Sequence, residues 1–379
     1  MKQSWIQRWP ITLVVLSVLL MSVSGCAGGA RPMSWTGLTV VDEMVYAPDL
    51  EQFRVLNAAD GEPVWVFPKS TEDERRGVFY VTPAVDEKHV IVASQVPASG
   101  FFSQAKNVVW ALERDTGTLL WRFDEAGGQY VEGGVVGGGL FIIGNSDGNV
   151  YALDVETGTP RWVFETGHRV WATPLIVSDT VYVGSMDRHL YSLNLSDGQV
   201  QWDFSTLGAF ASEPAMWNDT LYIGAFDDKL YAVDALTGAE RWHFAGENWF
   251  WGDVAVHDGT IYATDVNGNV HAVDAETGEQ IWHQALDAPL RAGPVLTEDG
   301  SQMFVGSENG TLYAMDTSDG FVMWRAENDK AQILSPPVVS GSNVYVALLY
   351  GEARIQALHV DNGREIWVHP PAVEAAANE

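Results

Sequence analysis

One cysteine, nine histidines and fifty acidic residues are the groups with which this 379-residue chain could do chemistry. Their placement argues against most familiar reactions. His271 stands where a recurring pattern described below has Tyr, His359 where it has Asp, and His243 and His283 each follow a recurring Trp. No HxH or HExxH spacing occurs, so no pair of imidazoles is set to close on a zinc ion. There is no Gly-x-Ser-x-Gly elbow and no P-loop. Asp154, Asp234, Asp274 and Asp316 recur once per unit, while Asp147, Asp187 and Asp227 fall in hairpin turns. Residues repeated so regularly hold architecture, and a Ca²⁺ site would need oxygens converging from separate units. No catalytic residue, metal or cofactor is expected.

The balance of 21 Lys+Arg against 50 Asp+Glu gives a formal charge of −29. With 19% charged and 46% hydrophobic residues the composition is globular and not that of a disordered acidic chain. Phosphate binding needs a basic footprint, so a nucleic-acid binder is excluded. The 37 glycines and 16 tryptophans point to many short strands and tight turns.

The first segment reads as an address. Lys2 and Arg8 precede an apolar run from Ile11 to Met21, too short to span a bilayer but fit for the core of a signal peptide. It ends in Val23-Ser24-Gly25-Cys26, which resembles a bacterial lipobox. That resemblance implies a signal peptide over 1–25, cleavage before Cys26 and lipid on its thiol and new amine. Lipidation would also explain why a lone thiol occurs in an exported chain. Residues 26–36 (CAGGARPMSWT) then form the anchor and a small-residue tether. An acidic body so anchored is held off an anionic membrane surface. Its contacts should be with proteins.

The remainder repeats itself. The clearest unit runs from Val150-Tyr-Ala-Leu-Asp154 through Gly158 to Trp162, and related copies end at Trp65, Trp121, Trp202, Trp242, Trp282, Trp324 and Trp367. Every copy keeps Gly four residues before Trp, and the steps between tryptophans are 56, 41, 40, 40, 40, 42 and 43. The long step holds an insertion near Gln95–Asn107, with Phe101-Phe102 at its tip, and a charged loop at Lys69–Arg76. Each unit reads as four short strands by period-2 alternation, with Asp147-Gly148, Asn267-Gly268 and Asn309-Gly310 as hairpin turns. Four-stranded units of this length are propeller blades. The expectation is an all-β, eight-bladed propeller of antiparallel blades over 37–369, followed by a disordered tail, 370–379. The repeated Trp should pack between neighbouring blades.

The Tyr-Ala-Leu-Asp…Thr-Gly…Trp signature resembles the quinoprotein, or PQQ-like, repeat over residues 37–368. Two families carry that propeller. The PQQ-dependent dehydrogenases would imply a cofactor pocket with a Ca²⁺-type cluster, a catalytic Asp and, in one branch, a disulfide of adjacent cysteines. After Cys26 no cysteine remains, and the chain lacks room for their large insertions. The BamB family of outer-membrane β-barrel assembly lipoproteins fits the lipobox, the eight repeats and the length. It implies a non-enzymatic periplasmic scaffold that binds a BamA-like barrel protein. Ala27 after the lipidated Cys allows an outer-membrane destination; in a host without an outer membrane the anchor would sit on the outer face of the cell membrane. The alternatives are a propeller holding a small ligand, such as a sugar or quinone-like molecule, and a minimal quinoprotein dehydrogenase.

Aligning the blade starts places Tyr80, Trp171, Phe250, Arg291 and Leu334 at one equivalent position, with Phe79, Tyr130, Phe210, Trp249 and Trp251 adjacent. Equivalent positions ring one end of the central channel, so these aromatics should gather at one mouth as a contact surface for protein or ligand. The other outcome is that the rings plug the funnel as core. Arg169 and Arg291 could pair with carboxylates such as Glu132 or Glu213.

Overall fold

The computed structural model describes residues 37–69, 77–97 and 105–371. The signal peptide, Cys26, the tether, the Phe101-Phe102 tip, nearly all of the charged loop and the end of the tail lie outside these residues. Among the described residues there are strands and turns and no helix, hence none long and apolar enough to cross a membrane.

Eight antiparallel sheets follow one another along the chain, each built from consecutive strands. The third is representative: Val135–Gly137, Leu140–Gly144, Asn149–Asp154 and Pro160–Glu165. Only the second blade adds a fifth strand, Val78–Phe79, beside the flank of the insertion. The second and third strands of a blade are covered on both faces by neighbouring blades, which is why Leu140–Gly144 is apolar throughout and buried throughout. The fourth strand alternates exposed and half-buried residues, because it forms the rim. First strands of neighbouring blades meet around the axis. The molecule is thus an eight-bladed propeller.

One device joins the blades. Trp121 Nε1 donates to Val155 O of the next blade at 2.7 Å, and its ring lies over Gly158. A Cβ on Gly158 would stand 2.4 Å from that ring, and the residue has φ +70°, so only glycine is accommodated. Thus the Gly four residues before each Trp serves the Trp of the preceding blade, not its own. The same pair of contacts recurs at all eight seams, from Trp65 over Gly117 to Trp324 over Gly363.

Closure uses it too. Trp367 of the last blade lies over Gly61 of the first and donates to Ala58 O at 3.0 Å, beside Tyr345 OH at 3.1 Å. Asp49 of the first blade accepts from Arg54 at 2.7 Å and pairs with Arg354 of the last at 3.0 Å. Among the described residues no strand is exchanged between the two sheets, and these side chains make the bonds across the closure.

Candidate functional site

The residues standing two places before each first strand are Gly37, Thr82, Gly133, Thr173, Glu213, Asp253, Gly293 and Pro336. Eightfold geometry brings this position to the axis, where seven of them border a cavity of about 240 Å³ and the eighth, Gly293, borders a smaller void above it. Most are small because eight chains converge there. A Cβ on Gly293 would meet the Asp253 backbone at 2.4 Å.

Against that small-residue background stand three acids. Glu213 and Asp253 occupy the ring itself, and Glu132, one position earlier in its blade, points to the same space. All three face the cavity and are half-buried, and desolvation penalises their ionised forms. Burial holds Glu132 well above the usual carboxylate range, with Asp253 and Glu213 adding repulsion. Burial and then Asp253 push Glu213 up to about 8. Asp253 rises to about 6 through burial, although the Glu213 backbone N–H donates to its Oδ1 at 2.8 Å and pulls the other way. Burial and mutual repulsion thus favour the protonated forms across the set.

Toward the mouth, this ring is roofed by side chains four places before the first strands. Trp251 meets both the Arg291 guanidinium, 4.8 Å from its ring centroid, and Phe226, tilted by 37° at 4.7 Å. Phe226 also lies flat against Trp249 at 5.0 Å and 14°. Arg291 is ion-paired with Glu308, so it does not serve Glu132 or Glu213.

The expected mouth residues therefore divide. Trp249 is 43% exposed, and Trp171, Trp251 and Arg291 are half-buried on the channel side. Tyr80, Phe210 and Phe250 are core, at 4%, 0% and 1% exposure, and with them Phe79 and Tyr130. For Phe250 the equivalence read from the sequence was one residue off. It stands five places before its first strand, with Phe79, Tyr130 and Phe210, and Trp251 is the true counterpart of Trp171 and Arg291. A one-residue shift in extended chain sends a side chain to the opposite face, from channel to interblade core.

A family model described as outer membrane protein assembly factor BamB matches residues 105–245, 203–268 and 266–378. The chain belongs to the BamB family. BamB of Shewanella oneidensis is 34% identical over 82 residues, 22% of this chain and 20% of that protein. The serine/threonine-protein kinase AfsK of Streptomyces griseus is 30% identical over 148 residues, 38% of this chain and 17% of the kinase. The match thus spans about a fifth of the length of either curated relative. The crystal structure of BamB from Moraxella catarrhalis superposes with a TM-score of 0.69 at 18% identity, covering 85% of this chain and 92% of that one. The computationally designed Ika8 protein gives 0.72 at 14% identity, covering 87% and 98%. At these identities the likeness to solved structures is one of fold.

In this BamB-family propeller the repeated turn acids serve the blades. Asp154 caps its turn by accepting from Thr157 N at 3.0 Å and Thr157 Oγ1 at 2.9 Å, and these bonds hold its carboxyl below the usual range. Asp234, bonded to Arg241 and Thr237, falls to about 2. His271 is buried 3.1 Å from Asp265, where neighbouring blades pair Tyr with Asp, as in Tyr231–Asp227 at 2.7 Å. Burial opposes ionisation of Asp265, yet hydrogen bonds from His271 and Asn269 prevail and hold it below the usual range. Among the described residues no group of His, Cys, Asp and Glu is placed to hold a metal. Three carboxylates that already repel one another do not suit an anionic quinone cofactor, so no reaction is routed through one.

The axial acids are what sequence reasoning missed as a group. Their signal was available: Glu213 and Asp253 stand where other blades carry Thr, Gly or Pro, and Glu132 where others carry Ala, Ser, Gly or Val.

Proposed function

We propose that this chain is a non-enzymatic, lipid-anchored scaffold on the periplasmic face of the outer membrane. Its propeller holds a BamA-like barrel protein during assembly of outer-membrane proteins. The observation that carries this reading is the aromatic strip Trp249–Phe226–Trp251, offered at one end of a rigid ring and backed by Arg291. Aromatic and Arg side chains on a preorganised frame are the usual anchors of protein contacts. Membership of the BamB family supports the partner, and the lipobox at Cys26 supports the anchor. In the test, the lipidated protein is captured from its own membranes and a BamA-like protein is sought among what co-purifies. Trp249→Ala with Trp251→Ala should deplete that protein while the melting temperature moves little. Capture unchanged by the double substitution would remove the mouth from the contact.

The cavity of about 240 Å³ that the acids line favours one rival, a propeller that binds a small ligand on its axis. Such binding would appear as saturable quenching of tryptophan emission during titration with sugars or quinones.

A further inference from the structure

On the mouth side, the loops entering the third to seventh blades are each fastened to the next hairpin turn. Met186 N donates to Arg169 O at 2.9 Å, Phe226 N to Ala209 O at 3.0 Å, and Val266 N to Trp249 O at 3.0 Å. Thr206 N donates to Arg188 O at 3.0 Å, which sets Leu207, 83% exposed, beside Arg188. These bonds order the rim as a continuous strip: Arg169 and Arg188, then Leu207, then Phe226 with Trp249.

Among the described residues, two cations of that strip lack the acid that many others in the chain have. Many of its cations are neutralised by an adjacent acid, as Arg241 is by Asp234 at 2.7 Å and Arg114 by Asp42 at 2.6 Å. Arg169 and Arg188 are exposed and have no ion-pair partner among the described residues. The acid adjoining Arg188 is engaged elsewhere: Asp187 accepts from Gly167 N and Tyr191 OH, each at 2.7 Å. On a protein of formal charge −29, two solvated guanidinium groups abut an apolar shelf.

We propose that this strip docks an acidic protein segment, whose carboxylates reach Arg169 and Arg188 while a neighbouring apolar side chain lies on Leu207, Phe226 and Trp249. The proposal rests on the scaffold reading above and adds the chemistry of the partner. Guanidinium groups bind carboxylates with paired, directed hydrogen bonds. At physiological salt the field is screened within about 8 Å, so a bound segment senses these two arginines more than the distant acids of the ring.

The test uses the full chain in detergent and two short labelled peptides, one of Glu and Phe, the other with Lys replacing every Glu. Fluorescence anisotropy should show the Glu peptide binding about tenfold tighter or more, an advantage worth about 1.4 kcal/mol per factor of ten. Arg169→Glu with Arg188→Glu should abolish that preference at an unchanged melting temperature, while Arg169→Lys with Arg188→Lys keeps most of it. The proposal is overturned if the Lys peptide binds as well or better, as net charge alone dictates, or if neither peptide binds. It is equally overturned if charge reversal leaves the Glu peptide unaffected, or if the same arginines instead direct binding to phosphatidylglycerol vesicles. Should membrane capture yield no BamA-like protein while the Glu preference persists, the scaffold reading falls and the acidic-segment surface stands.

Discussion

The turn carboxylates Asp154, Asp234 and Asp274 and the axial carboxylates Glu132, Glu213 and Asp253 are the same group under opposite pressure. Each turn acid is repeated from blade to blade, points to solvent, and accepts hydrogen bonds that favour its charge. The axial acids come from the third, fifth and sixth blades only, face one another, and are desolvated toward protonation. A turn position that takes Asp in four blades and Asn, Glu or His in the others solves a problem that every blade has. Acids set at the axis in only three of eight blades mark what distinguishes this molecule from the bare ring.

That contrast can be broken first at a repeated position. Gly238 has φ +72°, and a Cβ there would come within 2.7 Å of Trp202. Gly238→Val should cost roughly 3–5 kcal/mol, combining a strained backbone with a displaced ring. Circular-dichroism melting would show it, and a near-native transition would mean that the seam is slack.

The axial acids should behave in the opposite sense. Their folded pKa values lie above the unfolded ones, so they add full stability below about pH 4 and lose it as pH rises. The loss runs through about 6 for Asp253 and about 8 for Glu213. Glu213→Gln with Asp253→Asn should therefore raise the melting temperature by several degrees at pH 8 and leave it unchanged at pH 4. Calorimetry at the two pH values decides, and an equal effect at both would mean that packing, not ionisation, was altered.

The turn acids run the other way. A lowered folded pKa gives stability that is present above about pH 4 and lost as pH falls through about 2 for Asp234. With the axial set, this predicts a stability optimum near pH 4 to 5, read from the wild-type melting profile. A profile rising steadily to pH 8 would contradict the axial assignment.

The smallest effect belongs to one turn. Asp234→Ala removes bonds to Thr237 and Arg241, the latter at 2.7 Å, and should cost about 1 kcal/mol in denaturant unfolding. Asp234→Asn should cost less, because the amide oxygen still accepts from Thr237. An equal cost would assign the effect to charge.

Eight units with a Gly and a Trp at fixed spacing specify the propeller in the sequence itself, because each unit buries its faces only against a copy of itself. The seam contact was half legible: the Trp read as an interblade ring, whereas its partner Gly lies some forty residues on in the next blade. Phe210 and Phe250 show the limit. Aromatic residues near a blade start carry no mark of which face they take, and one step along extended chain exchanges channel for core.

Blade count, strand period and seam residues were thus local properties, written into every repeat. The axis was not. Glu132, Glu213 and Asp253 are separated by whole blades in the chain and become neighbours only when Trp367 closes on Gly61. The ring then removes them from water together, and that shared desolvation, which no single segment possesses, sets their protonation.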